Sequence, residues 1–258
     1  MNIGPYKFAP SLIPSLATVL LLWLFIWLGN WQLGRADFKQ LERDKIIHNT
    51  KLPAISIKPE FKNIKNMLGR KTVTSGSFDT AHEAVVAFHK YRGQPGFLVL
   101  TPFLIDGTDT SVLVIRGWIA QSLSRGFTRL PFIPKSEKGK IELRGIVDRV
   151  PSVGRKSGKP DGQFANQWPK MLIYADVDWY RKKLNRKFMP YAVKQTYHNS
   201  AGLIADWKAF AVHRERMPPE KHLGYAFQWF SLAIVLLVLY FSLNAKRIQP
   251  DKERQEDK

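Results

Sequence analysis

The sequence predicts an α+β membrane protein in which two transmembrane helices flank a mostly antiparallel β domain outside the membrane. Two long uncharged runs, one near each end of the 258 residues, supply the helices. Between them, short apolar stretches rich in β-branched and aromatic residues are punctuated by Gly, Pro and Asp-Gly, which is the pattern of strands and turns. The chain has no cysteine, so the middle region has no disulfide framework, and its length suffices for one sizeable domain besides the membrane segments. The implied organisation is a short N-terminus (1–11), a first transmembrane helix (12–33) and an extramembrane α+β domain (34–219). A second transmembrane helix (220–245) and a charged tail (246–258) complete it.

From Phe8 to Gly34 there is no charged side chain, and the stretch Leu12 to Trp31 holds roughly twenty residues, enough at 1.5 Å rise to cross the hydrocarbon core. The run is followed by GNWQLGR rather than a small-residue cleavage site, so it reads as a retained helix, not a signal peptide. Trp23, Trp27 and Trp31 recur every four residues as a stripe. Trp31 suits the membrane interface, and the two deeper rings are expected against a partner helix. After Arg35, ADFKQLERDKIIHNT keeps helical propensity, so the helix should continue until LPAISIKPEF and its two prolines.

Strands are expected at Arg70 to Phe78, Ala84 to His89, Gly96 to Ile105, Ser111 to Ile119, Lys140 to Val147, Lys170 to Val177 and Tyr191 to Tyr197. Asp106-Gly107 should turn one hairpin, and Asp178 should cap a helix over Trp179 to Lys187. Leu123 to Gly139 and Val153 to Gln167, rich in Pro, Gly, Ser and Lys, read as exposed loops. VGRKSGKPDGQ lacks the spacing of a phosphate-binding loop.

The second uncharged run lies between Lys221 and Lys246, and Pro218 and Pro219 place its start near Glu220. His222 therefore sits in the first turn, sharing a face with Tyr225, Ala226, Trp229 and Ala233. The small residues leave room for another helix or for something flat. The helix N-terminus disfavours an imidazolium, leaving a neutral ring with a free lone pair. On spacing alone, residues of these types are more often membrane-interface anchors than a ligand and its surroundings. Gln32 and Gln228 would lie near one membrane surface in an antiparallel pair, where an interhelical amide hydrogen bond is expected.

Absence narrows the chemistry. Without cysteine there is no CxxC redox pair, no c-type haem attachment and no thiolate metal site. His48, His82, His89, His198 and His213 form no HxH or HExxH, and Ser124, Ser157 and Ser200 lie in no GxSxG. No catalytic residue is assigned and the chain is not read as an enzyme. Net charge is +19, and setting aside the six basic and four acidic side chains outside the spans leaves +17 between them. Such a surface suits anionic lipid or an acidic protein face. No nucleic-acid motif accompanies the charge, so no nucleic-acid partner is expected.

Four blocks carry a resemblance: LGNWQLGR with Lys39 beyond it, GQPGFLVLTPF (Gly93 to Phe103), VLVIRGW (Val112 to Trp118) and HLGYAFQWFSLA (His222 to Ala233), with NQWPKMLIYAD a weaker fifth. In this order they make the chain similar to the Surfeit locus protein one (Shy-one) family of cytochrome c oxidase assembly factors. The resemblance implies a chaperone of haem-copper oxidase biogenesis that binds haem a and assists its insertion into oxidase subunit I. Haem a synthase and membrane lipids are further expected partners. The family's haem-binding histidine falls on His222, which would be the axial ligand of the iron; placing Tyr225, Gln228 and Trp229 beside the cofactor is a reading of their positions on the helix and not of the resemblance. The alternative is a non-haem membrane scaffold that stabilises an oxidase assembly intermediate. The missing thiolates disfavour copper delivery.

Where the family usually has Asn before RGW, this chain has Ile115, which puts one local hydrogen bond in doubt. Trp118 is expected in the core, and Arg116 either in a buried pair, the favoured role, or as a haem propionate partner. By resemblance both termini are cytoplasmic. Lys246 and Arg247 agree, whereas Arg35, Lys39, Arg43 and Lys45 lie on the opposite side, and long loops translocate regardless of charge. With Lys7 as its only basic side chain, the N-terminus lacks an Arg-rich presequence, which points to a bacterial inner membrane with the main domain periplasmic.

Overall fold

The computed structural model describes residues 2–3, 6–8, 10–61, 63–121, 129–152, 158–161, 167–196, 202–207 and 217–247. Much of both basic loops, with Ser124, Ser157, His198, Ser200, His213 and the end of the tail, lies outside the described residues. The chain forms two compact units, Met1–Glu42 with Arg216–Lys258, and Arg43–Glu215.

The first unit is built on two apolar helices, both long and apolar enough to cross a membrane. Helix α1 is Leu12–Lys51. Pro14 sits in its first turn, where a missing N–H costs nothing, and the helix stops just short of Pro53. It therefore runs on well beyond its uncharged part, as the charged continuation implies. Helix α4 is Pro219–Asn244, with Pro218 extended at the N-cap and Pro219 in the first position. The least exposed positions of α1 include Ser15, Thr18, Leu22, Phe25, Gly29, Gln32 and Ala36, with Leu28 beside them, and those of α4 include His222, Ala226, Trp229, Ala233, Leu236 and Tyr240. Alternating steps of three and four keep one seam facing a partner, as in a left-handed helix pair.

Contacts along that seam run antiparallel. Ser15 Oγ lies 2.7 Å from Tyr240 Oη, Phe25 packs on Trp229 with ring centroids 5.8 Å apart, and Gly29 faces the Phe230 ring. The tryptophan stripe is elsewhere. Trp23 and Trp27 are 65% and 52% exposed and stack on each other, so they do not face the partner helix. Their four-residue step advances about 40° per turn away from a 3.5-residue seam. Small strands unanticipated from sequence, β1 (Asn2–Ile3), β2 (Tyr6–Phe8) and β10 (Ala245–Arg247), pair at the chain ends.

The second unit contains a seven-stranded sheet: β3 (Lys71–Phe78), β4 (Ala84–Tyr91), β5 (Gln94–Ile105), β6 (Thr110–Ala120), β7 (Lys140–Asp148), β8 (Lys170–Leu172) and β9 (Lys187–Gln195). Their order is β3-β7-β9-β6-β5-β4-β8, and β3 also pairs with the end of β5. That extra pairing closes five strands, β3, β7, β9, β6 and β5, into a ring. Gly76 sits where it closes: a Cβ there would collide with the Leu104 carbonyl, so only glycine permits this approach. Most pairings are antiparallel, as the sequence predicts, while β4–β8 and β6–β9 are parallel.

Alternation along β6 explains why it is buried on both faces. Val112 and Val114 join Phe103, Ile105, Leu143, Met189, Tyr191 and Val193 in one core drawn from the ring strands. Leu113 and Ile115 join Leu98, Leu100, Trp118, Tyr180 and Phe188 in a second. Helix α3 (Val177–Leu184) covers this second core. Its cap is Asp176, whose extended backbone lets its carboxylate accept from the Asp178 and Trp179 amides, so the expected Asp178 cap is corrected. Asp178 instead holds Arg181 at 2.7 Å. The helix ends at Leu184 because Asn185 adopts a left-handed conformation. Consequently β9 starts at Lys187, and β8 is shorter than the expected Lys170 to Val177. The Asp106-Gly107 hairpin turns as expected, with Gly107 at positive φ. The short helix α2 (Ile64–Met67) is followed by Leu68, whose carbonyl accepts from Asn49 of α1 at 2.7 Å.

Candidate functional site

His222 stands in the first turn of α4 and is only 5% exposed. Its Nδ1 lies 2.7 Å from the carboxamide oxygen of Gln32. Two acceptors cannot share a hydrogen bond, so Nδ1 carries the proton and donates. The other nitrogen, Nε2, is buried with no partner among the described residues. Leaving such a lone pair unmet costs about 1–3 kcal/mol, and native structures rarely tolerate it without reason.

Gln228 is exposed, and Gln32 spends its oxygen on His222, not on Gln228. The expected Gln32–Gln228 bond is therefore corrected: the antiparallel register that joins Phe25 to Trp229 brings Gln32 to His222, nearer the N-terminus of α4 than Gln228. Tyr225 is exposed beside His222, and Trp229 is half-buried against Phe25. Ala226 and Ala233 are buried in the seam, so the room beside the small residues is filled by a helix. Of the four expected site residues, His222 is enclosed, while Tyr225, Gln228 and Trp229 do not touch its free nitrogen through any recorded bond. Gln32 was legible only as an amide near the right surface; the register between helices was the missing signal.

In the sheet unit, polar groups mostly satisfy one another. Arg116 is 1% exposed; its Nη1 meets Glu83 Oε1 at 2.6 Å and its Nη2 donates to the Pro134 carbonyl at 2.8 Å. Thr101 also donates to Glu83. Burial raises the Glu83 carboxyl above its ordinary value against the pull of Arg116 and these hydrogen bonds, and burial likewise lowers Arg116. The pair is structural, and Trp118 is core, its Nε1 donating to the His89 carbonyl at 2.9 Å. His82 Nδ1 is held by Asp79, which also takes Arg186. Among the described residues no group of three or more His, Cys, Asp or Glu could hold a metal ion.

Comparison with known proteins adds what geometry cannot. The SURF1-like protein of Rickettsia prowazekii is 26% identical over 216 residues, 83% of this chain and 82% of that protein. The SURF1-like protein of Rickettsia bellii is 25% identical over 226 residues, 86% of this chain and 88% of that protein. The cytochrome oxidase assembly protein SHY1 of Saccharomyces cerevisiae is 31% identical over 100 residues, 37% of this chain but 25% of that protein. The family model described as SURF1 family matches residues 19–234, taking in most of both apolar helices and the whole sheet between them, and the chain belongs to the SURF1 family.

Proposed function

We propose that this protein is an assembly factor for a haem-copper cytochrome c oxidase, binding haem a through His222 and assisting its insertion into subunit I. Family membership and the role named for the yeast relative, cytochrome oxidase assembly, support the first half. The second half rests on one observation: a buried imidazole whose Nδ1 is engaged by Gln32 while Nε2 has no partner among the described residues. Imidazole nitrogen is a standard axial ligand of haem iron, so the donor fits this cargo. Tyr225 and Trp229, on the same face of α4, would flank the porphyrin, and Gln228 would lie at its edge. The role is that of a carrier, not a catalyst. The setting is a bacterial inner membrane, multi-pass, with residues between the helices on the periplasmic side and with haem a synthase and lipid as further partners.

One feature favours the scaffold alternative, in which the protein grips an oxidase intermediate without haem. His222 is enclosed and the seam beside it is filled, so ligation needs a local opening. The deciding experiment is purification from cells that make haem a, followed by an absorption spectrum of the wild type and of His222→Ala. The expected result is a haem a spectrum in the wild type and at least a tenfold lower haem content in the variant. Equal haem in both sinks the ligand assignment, and none in either favours the scaffold.

A further inference from the structure

We infer that Gln32 is the positioning residue of His222: across the helix pair, its carboxamide oxygen selects the tautomer of the ring and so decides which nitrogen is offered to a metal. A neutral imidazole has two tautomers, and in water the proton prefers Nε2. Here the Oε1 of Gln32, itself 9% exposed, accepts from Nδ1 at 2.7 Å. Inside a low-dielectric helix pair this bond has little competition from water, so it outweighs the intrinsic preference and moves the proton to Nδ1. Nε2, buried and without a partner among the described residues, is then the lone pair available. The recurring partner of a ligating histidine is an acceptor at the far nitrogen, which fixes the ring and raises its basicity.

The identity of that acceptor carries a second consequence, which rests on the haem reading above. A carboxylate at position 32 would pull the Nδ1 proton harder and give the ring imidazolate character, a stronger donor. A neutral carboxamide orients the ring but leaves it a moderate ligand, the character suited to a group that is held and then given up. Gln32 is also supplied by a different helix from His222. Ligand orientation is therefore coupled to the α1–α4 seam: sliding the helices by one turn would withdraw the acceptor.

The test separates this inference from the haem reading. In the haem-free, full-length protein in a bilayer, nitrogen NMR of uniformly labelled histidine, with the His222 signal assigned by its loss in His222→Ala, reports the tautomer directly. The expected result is Nδ1–H with a bare Nε2 in the wild type, retained in Gln32→Glu and shifted toward Nε2–H in Gln32→Leu. An Nε2–H ring in the wild type, or an unchanged ring in Gln32→Leu, overturns the inference whether or not haem binds. In haem-loaded protein, Gln32→Leu should weaken haem binding about 10- to 100-fold. The reduction potential should rise in the order Gln32→Glu, wild type, Gln32→Leu. A purely structural Gln32 would lower stability and leave the order of potentials flat, and that result also overturns it. Wild-type protein that never takes haem refutes the proposed function alone, since the tautomer measurement still decides the role of Gln32.

Discussion

At the scale of single residues, the buried polar groups fall into two kinds. Arg116 and Glu83 are matched, and removing either partner would strand a charge inside the sheet unit. Tyr191 and Tyr180 are unmatched: both are fully buried, and neither hydroxyl has a partner among the described residues. Burial raises the phenol of Tyr191, and burial followed by the negative charge of Glu83 raises that of Tyr180. Because the folded values lie above those of an unfolded tyrosine, near 10, the unfolded chain loses these protons first. The contribution of these two tyrosines to stability is then flat below about pH 10 and falls as pH climbs past it, throughout the interval up to the folded values. Tyr191→Phe removes a hydroxyl that was never satisfied, so it should leave stability unchanged or raise it by about 1 kcal/mol at pH 7. It should also lessen the alkaline loss. Thermal unfolding of the full chain in one detergent, followed at pH 7 and at pH 11, checks both parts. A variant less stable than the wild type at pH 7 would mean that the hydroxyl has a partner after all.

At the scale of elements, the helix pair is set by its smallest residue. A Cβ added at Gly29 would lie 2.6 Å from the Phe230 ring, whereas one added at Gly34 meets nothing within 4 Å. Gly29→Leu should therefore push α4 away and destabilise the pair by about 1–3 kcal/mol, while Gly34→Leu is tolerated. Melting temperatures of the two variants in the same detergent distinguish them, and equal losses would refute the seam. This seam also marks the limit of what sequence conveys. Uncharged length announced both helices, and apolar stretches bounded by turn residues announced the strands, because each signal is local to its element. The facing surfaces are not local: the Trp23–Trp27 stripe was conspicuous yet outward, and the quiet residues Thr18, Gly29 and Ala226 made the contact. The same holds for α3, where the sequence places the cap at Asp178 and the backbone angles put it at Asp176. His222 was legible by position within its helix. Its partner Gln32, 190 residues away, depended on a register that only packing fixes.

At the scale of the whole molecule, the antiparallel pair constrains topology before any charge rule is applied. Ser15 meets Tyr240 at one end of the pair and Gln32 meets His222 at the other. The chain before α1 and the chain after α4 therefore leave from the Ser15–Tyr240 end, and the intervening chain departs and returns at the Gln32–His222 end. If both helices span a bilayer, the residues between them lie on one side and the two termini on the other. Charge does not choose the side: basic residues sit beyond both ends, and an insertion of this length translocates regardless of its +17. The absence of cysteine makes the question directly measurable, since any introduced thiol is the only one. Lys182→Cys lies on the exposed face of α3, and Lys252→Cys lies in the charged tail. With a membrane-impermeant maleimide applied to intact spheroplasts, the proposed orientation predicts labelling at 182 and none at 252 until the cells are lysed. The reverse pattern would place the sheet unit in the cytoplasm, away from the side assumed for haem delivery. Labelling at both positions before lysis would mean that the two helices do not span together, and the shared membrane setting of Gln32 and His222 would fall with them.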